Sequence, residues 1–170
     1  MALRAITAED APALFALFSD PEVTRYWSRP PFTRLAQART LVRDIRAGYR
    51  SGTLVQWGVT LQGEDELVGS CTLFHFAPQS RRAEVGYALA RRLWGQGIMR
   101  DALGTLVAHA FTALDCHRLE ADIDPANAAS ARLLEALGFV REGHLRERWI
   151  VGDTISDSYL YGLLRHDWRR

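Results

Sequence analysis

The stretch from Ala83 to Phe111 constrains the fold of this chain more than any other. Ala83-Glu84-Val85-Gly86-Tyr87-Ala88-Leu89 reads as a β-strand, and after it Ile98, Met99, Ala102, Leu103, Leu106, Val107, Ala110 and Phe111 recur at helical spacing. Between them stands Arg91-Arg92-Leu93-Trp94-Gly95-Gln96-Gly97. Strand, glycine turn and helix in that order make an anion site. Glycine reaches backbone conformations closed to other residues and lets the main chain approach a ligand. The first N–H groups of a helix lack partners and carry the positive end of its dipole, so a phosphate or pyrophosphate is a natural occupant. Two familiar phosphate loops are excluded. No Gly-Lys-Ser/Thr closes a P-loop here, and Gly104 comes too late to be the third glycine of a dinucleotide fingerprint.

A second constellation lies downstream. Asp124-Pro125-Ala126-Asn127-Ala128-Ala129-Ser130 leads into Ala131-Arg132-Leu133-Leu134-Glu135-Ala136-Leu137-Gly138-Phe139, and Asn127 is the only asparagine in the chain. Locally Asn127 is a good helix N-cap, Leu133, Leu134 and Leu137 form an apolar stripe, and Gly138 is the stop. That reading explains the helix without a ligand.

Together the two segments resemble the GNAT superfamily of N-acetyltransferases. Arg92, Gly95 and Gly97 fill its Arg/Gln-x-x-Gly-x-Gly/Ala signature, and Asn127-x-x-Ser130 followed by a short helix and Gly138-Phe139 fills the second motif at the distance the family requires. The opening (Leu3-Arg4, Ala8-Glu9-Asp10, Asp20-Pro21-Glu22-Val23) and the tail (Arg141, Glu142, Gly143, Trp149, Gly152, Asp157, Tyr159, Asp167-Trp168) are similar to the RimJ/RimL-type ribosomal-protein alanine N-acetyltransferases. The resemblance covers nearly the whole chain. It departs at Arg100-Asp101, where relatives commonly carry a small residue and a glutamate, and at Ala136, where lysine is frequent.

The resemblance implies acetyl-CoA as co-substrate, no metal, and a primary amine as acceptor: a protein N-terminus of the ribosomal alanine or serine type. The alternatives are a small-molecule amine or antibiotic, or a non-catalytic acetyl-CoA sensor. It further implies that Gly95, Gln96, Gly97, Ile98 and Met99 offer N–H groups to the pyrophosphate and that Arg92 adds charge. The backbone of Tyr87, Ala88 and Leu89 would pair with the pantetheine arm as an added strand, and Asn127 would hold that arm. Glu84 is the candidate general base, with a surface carboxylate paired to Arg81 or Arg82 as the alternative; Glu142 and Glu147 are rivals for the role. Ser130 is the candidate proton donor to the departing thiolate, with a first-turn hydroxyl bonding its own helix as the alternative. A homodimer through the C-terminal strands is implied by the family alone.

Acetyl transfer to an amine needs a deprotonated nucleophile, preorganised donors and a tolerated leaving group; a free thiol, with a pKa of about 8.5, makes a stable enough anion. Composition is compatible. A chain of 170 residues, 48% apolar and 24% charged, is expected to form one domain with a proper core. A net charge of +1 argues against a broad electrostatic grip on nucleic acid. Every basic side chain other than histidine is arginine. Cys71 and Cys116 read as buried thiols of a cytoplasmic protein, since no signal-peptide pattern or membrane-length apolar run is present. His75, His109, His117, His144 and His166 show no metal-ligand spacing.

Periodicity and turn signals predict strands at residues 3–6, 54–61, 67–76, 84–89, 118–123, 140–150 and 156–164. Helices are predicted at 9–18, from a Thr33 cap to 49, at 98–113 and after Asn127, with a proline- and aromatic-rich loop at 25–32. Strands first, then strand alternating with helix, predict an α/β (α+β) chain with a mixed central sheet and helices on both faces. The family resemblance makes that the GNAT fold, mostly antiparallel.

Overall fold

The computed structural model describes residues 1–169. Seven strands form one sheet: β1 Ala2–Ala5, β2 Val55–Thr60, β3 Leu67–Ala77, β4 Arg82–Leu89, β5 Arg118–Ile123, β6 Val140–Val151 and β7 Thr154–Leu164. Their order is β1-β2-β3-β4-β5-β7-β6, and every neighbouring pair is antiparallel except β4 with β5. The helices are α1 Ala11–Ser19, α2 Pro21–Thr24, α3 Leu35–Ser51, α4 Ile98–Thr112 and α5 Ala128–Ala136. The sequence expectation of a mixed, mostly antiparallel sheet covered on both faces holds.

Strand alternation sorts the core into two layers. On one face Ala83, Val85 and Leu89 of β4 join Leu119 and Ala121 of β5 beneath α4, whose Ala102, Leu103, Leu106, Ala110 and Phe111 are fully excluded from solvent. Leu134 of α5 closes the same layer. On the other face Ala88 and Leu67 meet Leu14, Leu17 and Phe18 of α1 and Val42 and Ile45 of α3. Both thiols are buried and free. Cys71 lies within 3.5 Å of the Met99 sulfur, and burial pushes its pKa up to about 12.

Beyond shifts of one or two residues at most element ends, two features differ from the sequence reading. The N-cap of α3 is Arg34, not Thr33. The side chain of Gln37 folds back and accepts from the N–H groups of Thr33 (2.8 Å) and Arg34 (3.0 Å), so it, and not the Thr33 hydroxyl, closes that turn. The short α2 was not expected; Asp20 caps it by accepting from Glu22 N–H at 2.9 Å, with Pro21 at its first position. Among the described residues no helix is long and apolar enough to cross a membrane.

Candidate functional site

The sheet is built to open at one place. β4 and β5 pair at Arg82↔Arg118, Ala83↔Leu119 and Glu84↔Glu120, and no further. β4 meanwhile stays in register with β3 from Glu84 to Leu89, and β5 stays paired with β7 as far as Ile123. The two parallel strands therefore part after Glu84, leaving one edge of β4 without a strand partner.

Hydrogen-bond alternation shows which β4 groups face that gap. Ala90 N–H bonds Val68 carbonyl at 2.8 Å, so Ala88 and Gly86, in step with it, direct their backbone groups at β3. Tyr87 and Leu89 direct theirs into the gap. Of the three residues expected to pair with a pantetheine arm, Ala88 thus turns away. The Leu89 carbonyl also accepts from Trp94 Nε1 at 2.8 Å, a bond that ties the turn back to the strand.

Beyond Trp94 the chain turns through Gly95 (φ +75°) and Gly97 (φ +78°), the latter capping α4. A Cβ at either position would meet nothing within 4 Å, so the left-handed backbone and not crowding calls for glycine. No side chain caps α4, and among the described residues no turn or loop hydrogen bond uses the N–H groups of Gln96, Gly97, Ile98 or Met99. Arg92 is exposed, its carbonyl accepting from Gln96 Nε2 at 3.1 Å. The Met99 side chain is buried in the core, so only its main chain is available.

A cleft of about 810 Å³ runs through the opening. Glu84, Tyr87, Asn127 and Ser130 line it together, whereas Arg92 and the residues from Gly95 to Met99 do not. Glu84 and Tyr87 lie on opposite faces of β4, and the gap between the strands joins the two sides. On the α5 side, the Tyr87 hydroxyl is 2.5 Å from Ser130 Oγ. Ser130 is 7% exposed, and its N–H donates to Asn127 Oδ1 at 3.1 Å. Burial raises the Tyr87 phenol well above its ordinary value, with the Ser130 hydrogen bond opposing the shift, so the phenol keeps its proton.

On the other side, Glu84 Oε2 is 2.9 Å from His75 Nδ1. The alternative pairing of Glu84 with Arg81 or Arg82 does not occur: Arg81 bonds Asp115 and Arg82 bonds Glu120. His75 reaches Glu84 because β3 bulges between Phe74 and Ala77, where His75 takes φ +50°. Bulges re-aim side chains in this way. Asp122 lines the cleft beside Glu84 with its side chain only 12% exposed; Arg148 Nε lies 3.7 Å away and Trp149 Nε1 3.4 Å.

The two rival carboxylates sit elsewhere. Glu142 is bound by the Arg118 guanidinium, which holds its pKa below the usual carboxylate range despite some burial. Glu147, at φ +52°, lines neither this cleft nor the neighbouring cavity of about 570 Å³. Sequence reasoning missed the Tyr87 side chain, His75 and Asp122. Tyr87 shares the buried alternation of Val85 and Leu89, a signal that could have found it. The bulge at His75 left no such trace.

Comparison with known proteins places the chain among acetyltransferases. A family model described as an acetyltransferase (GNAT) domain matches residues 1–140. The N-acetyltransferase p20 of Bacillus licheniformis is 34% identical over 168 residues, which cover 99% of this chain and 94% of that protein. The ribosomal protein uS5-alanine N-acetyltransferase of Escherichia coli (strain K12) is 26% identical over 125 residues, 73% of this chain and 64% of its own. Among solved structures, Mycobacterium smegmatis RimJ in complex with CoA-disulfide matches with a TM-score of 0.87 at 26% identity, covering 99% of this chain and 83% of that one.

Proposed function

Because this chain belongs to the GNAT acetyltransferase family and is an N-acetyltransferase, we propose that it moves an acetyl group from acetyl-CoA to a protein N-terminal amine of the ribosomal alanine or serine type. The observation that carries this reading is the parting of β4 from β5 after Glu84. It puts a carboxylate on one side of a through-sheet cleft and a Tyr87–Ser130 hydroxyl pair on the other.

The residues present fit acetyl-CoA. The free N–H groups of Gln96, Gly97, Ile98 and Met99, with Gly95 shaping the turn, would hold the pyrophosphate at the start of α4, and Arg92 would add charge. Tyr87 and Leu89 would lend backbone groups to the pantetheine amides, as an edge strand takes up a peptide. Asn127 organises the first turn of α5, which presents Ser130. Bound acetyl-CoA supplies a thioester carbonyl for the amine to attack and a thiolate to leave.

Glu84 then acts as general base, taking the proton of the incoming ammonium, with His75 orienting its carboxylate. As the tetrahedral intermediate collapses, Ser130 gives its proton to the leaving thiolate and is reprotonated by the second proton that the acylated nitrogen sheds, while Glu84 returns the first to solvent. Tyr87, held protonated by burial, is a positioning residue that fixes the Ser130 rotamer and stabilises its oxygen. Both substrates lie in one cleft, so no covalent enzyme intermediate is required, and approximation alone can contribute on the order of 7–11 kcal/mol. The N-terminal acceptor rests on the uS5-alanine N-acetyltransferase relative and on the RimJ likeness.

Calorimetric titration with acetyl-CoA, beside 3′-dephospho-CoA and ATP, tests the cofactor. Micromolar binding of acetyl-CoA with ATP ignored is expected; no binding would overturn the reading. Ribosomal-protein N-terminal peptides assayed against small amines then test the acceptor.

A further inference from the structure

One partly buried guanidinium on the cleft wall has no partner of opposite charge among the described residues. Arg29 lies in the loop after α2 and lines the same cleft as Glu84 and Asp122. Its Cζ is 5.0 Å from the Trp27 ring centroid, 5.1 Å from that of Phe32 and 5.3 Å from that of Phe18. Those rings pack on each other, with centroids 5.0 Å apart for Phe18–Trp27 and 5.6 Å for Phe18–Phe32. Phe32 N–H also bonds the Phe18 carbonyl at 2.8 Å, fixing the loop against α1. Three mutually packed rings thus surround the cation.

Ring faces satisfy the flat face of a guanidinium but not the N–H groups around its edge. Among the described residues Arg29 makes no hydrogen bond and no ion pair. The contrast with other partly buried arginines is sharp. Arg4 forks onto Asp10, and Arg118 is shared between Glu120 and Glu142. Burial lowers the pKa of Arg29, and nothing nearby restores it. A partly desolvated cation with open donors, held on the wall of a substrate cleft, is suited to an anion.

We infer that Arg29 binds a carboxylate of the acceptor, so that the chain selects amines that also carry a negative group. This deepens the acetyl-transfer reading above and rests on it. The ammonium end of such an acceptor faces Glu84 and the carboxylate end faces the aromatic box. The pyrophosphate of the co-substrate is not the anion concerned, because the Gly95–Gly97 turn lies outside this cleft. Two sources offer the same chemistry: the α-carboxylate of a free amino acid, or an acidic side chain following a protein's N-terminal residue.

The test is acetyl transfer from acetyl-CoA to matched pairs: alanine against alaninamide, and amidated Ala-Asp against amidated Ala-Asn tetrapeptides. The wild type should favour the acid over its amide isostere in one of the pairs, by roughly tenfold or more in kcat/KM, the scale of one charge-assisted hydrogen bond. Preference in the first pair identifies a free amino acid, and in the second a protein N-terminus. Arg29→Met, which suits the aromatic box, should erase the preference through KM with kcat kept, and Arg29→Lys should retain part of it. Calorimetry of the acetylated products in the presence of CoA should show the same discrimination without turnover. Equal rates for acid and amide in both pairs, or an Arg29→Met loss that falls equally on both members, would overturn the inference while leaving the N-acetyltransferase reading intact. A wild type that binds no acetyl-CoA would remove both.

Discussion

The two edges of β4 are made from one strand and behave oppositely. Toward β3 it pairs without a break from Glu84 to Leu89; toward β5 it pairs only from Arg82 to Glu84. The first edge is so close-packed that a Cβ on Gly69 would come within 2.6 Å of the Ala88 carbonyl oxygen. On the other side, Gly95 and Gly97 stand in open space and are glycines because of their backbone angles. One edge has its hydrogen bonds taken up by the fold, and the other is left without a strand partner after Glu84. A site of this kind needs both, since an open edge is precise only when the strand that bears it is held rigidly from behind.

Substitutions on each side should separate the two roles. The largest effect is expected at the opening: Glu84→Gln should lower kcat by about 10²–10⁴, the usual worth of a general base, with an unchanged melting temperature. Steady-state kinetics beside thermal denaturation checks this, and a variant with normal kcat would move the base elsewhere, to Asp122 first. On the closed edge Gly69→Ala should cost about 1–3 kcal/mol in urea unfolding, because the Ala88 carbonyl must move, and acetyl-CoA affinity should suffer only in proportion.

Asp10→Asn tests the same supporting half of the molecule at its far end. Asp10 is 6% exposed and accepts from the Arg4 guanidinium at 2.7 and 2.8 Å and from Thr7 N–H at 2.8 Å. Burial alone would raise its pKa, but these donors outweigh it and hold the carboxyl below its ordinary value. A depressed folded-state pKa means stability that is present above the unfolded value of about 3.9 and is lost as pH falls through the folded one. The substitution should therefore cost about 1.5–3 kcal/mol at pH 7, and the gap from wild type should shrink in acid. A gap that grows toward low pH would contradict the assignment.

The smallest stability effect belongs to the loop. Gly97→Ala should cost about 1–2 kcal/mol for a side chain in the left-handed region, with no clash. If that turn holds the pyrophosphate, Gly97→Asp should abolish acetyl-CoA binding by setting a carboxylate against it. Near-normal affinity there would sink the loop assignment.

Much of this architecture was legible in the chain. The β5 boundaries, the start of α4 and the Asn127 cap of α5 fall where periodicity and capping chemistry put them. These are local signals: apolar residues recurring at the period of a helix or strand, and a side-chain acceptor at a helix start. The Thr33 cap misled because the Gln37 carboxamide folds back onto the Thr33 and Arg34 N–H groups and the Thr33 hydroxyl donates to it, leaving that hydroxyl turned away from the helix start. At the site, the sequence pointed to Glu84, Ser130 and the Gly95–Gly97 turn. It was silent on the contacts that give them a setting: His75 turned onto Glu84 by a bulge, Tyr87 closing on Ser130, and Asp122 and Arg29 on the walls.

The sequence by itself determined the order of the strands and the longer helices, the glycine turn at the head of α4 and the family resemblance, because each depends on residues near one another along the chain. Tertiary structure alone decided that β4 leaves β5 after Glu84, so that one cleft passes through the sheet. It also decided that Tyr87 and Ser130, 43 positions apart, share a hydrogen bond, and that Arg29 is walled by aromatic rings with no counter-ion among the described residues. Those facts follow from how strands and loops distant in sequence meet, and no local pattern of residues records such a meeting.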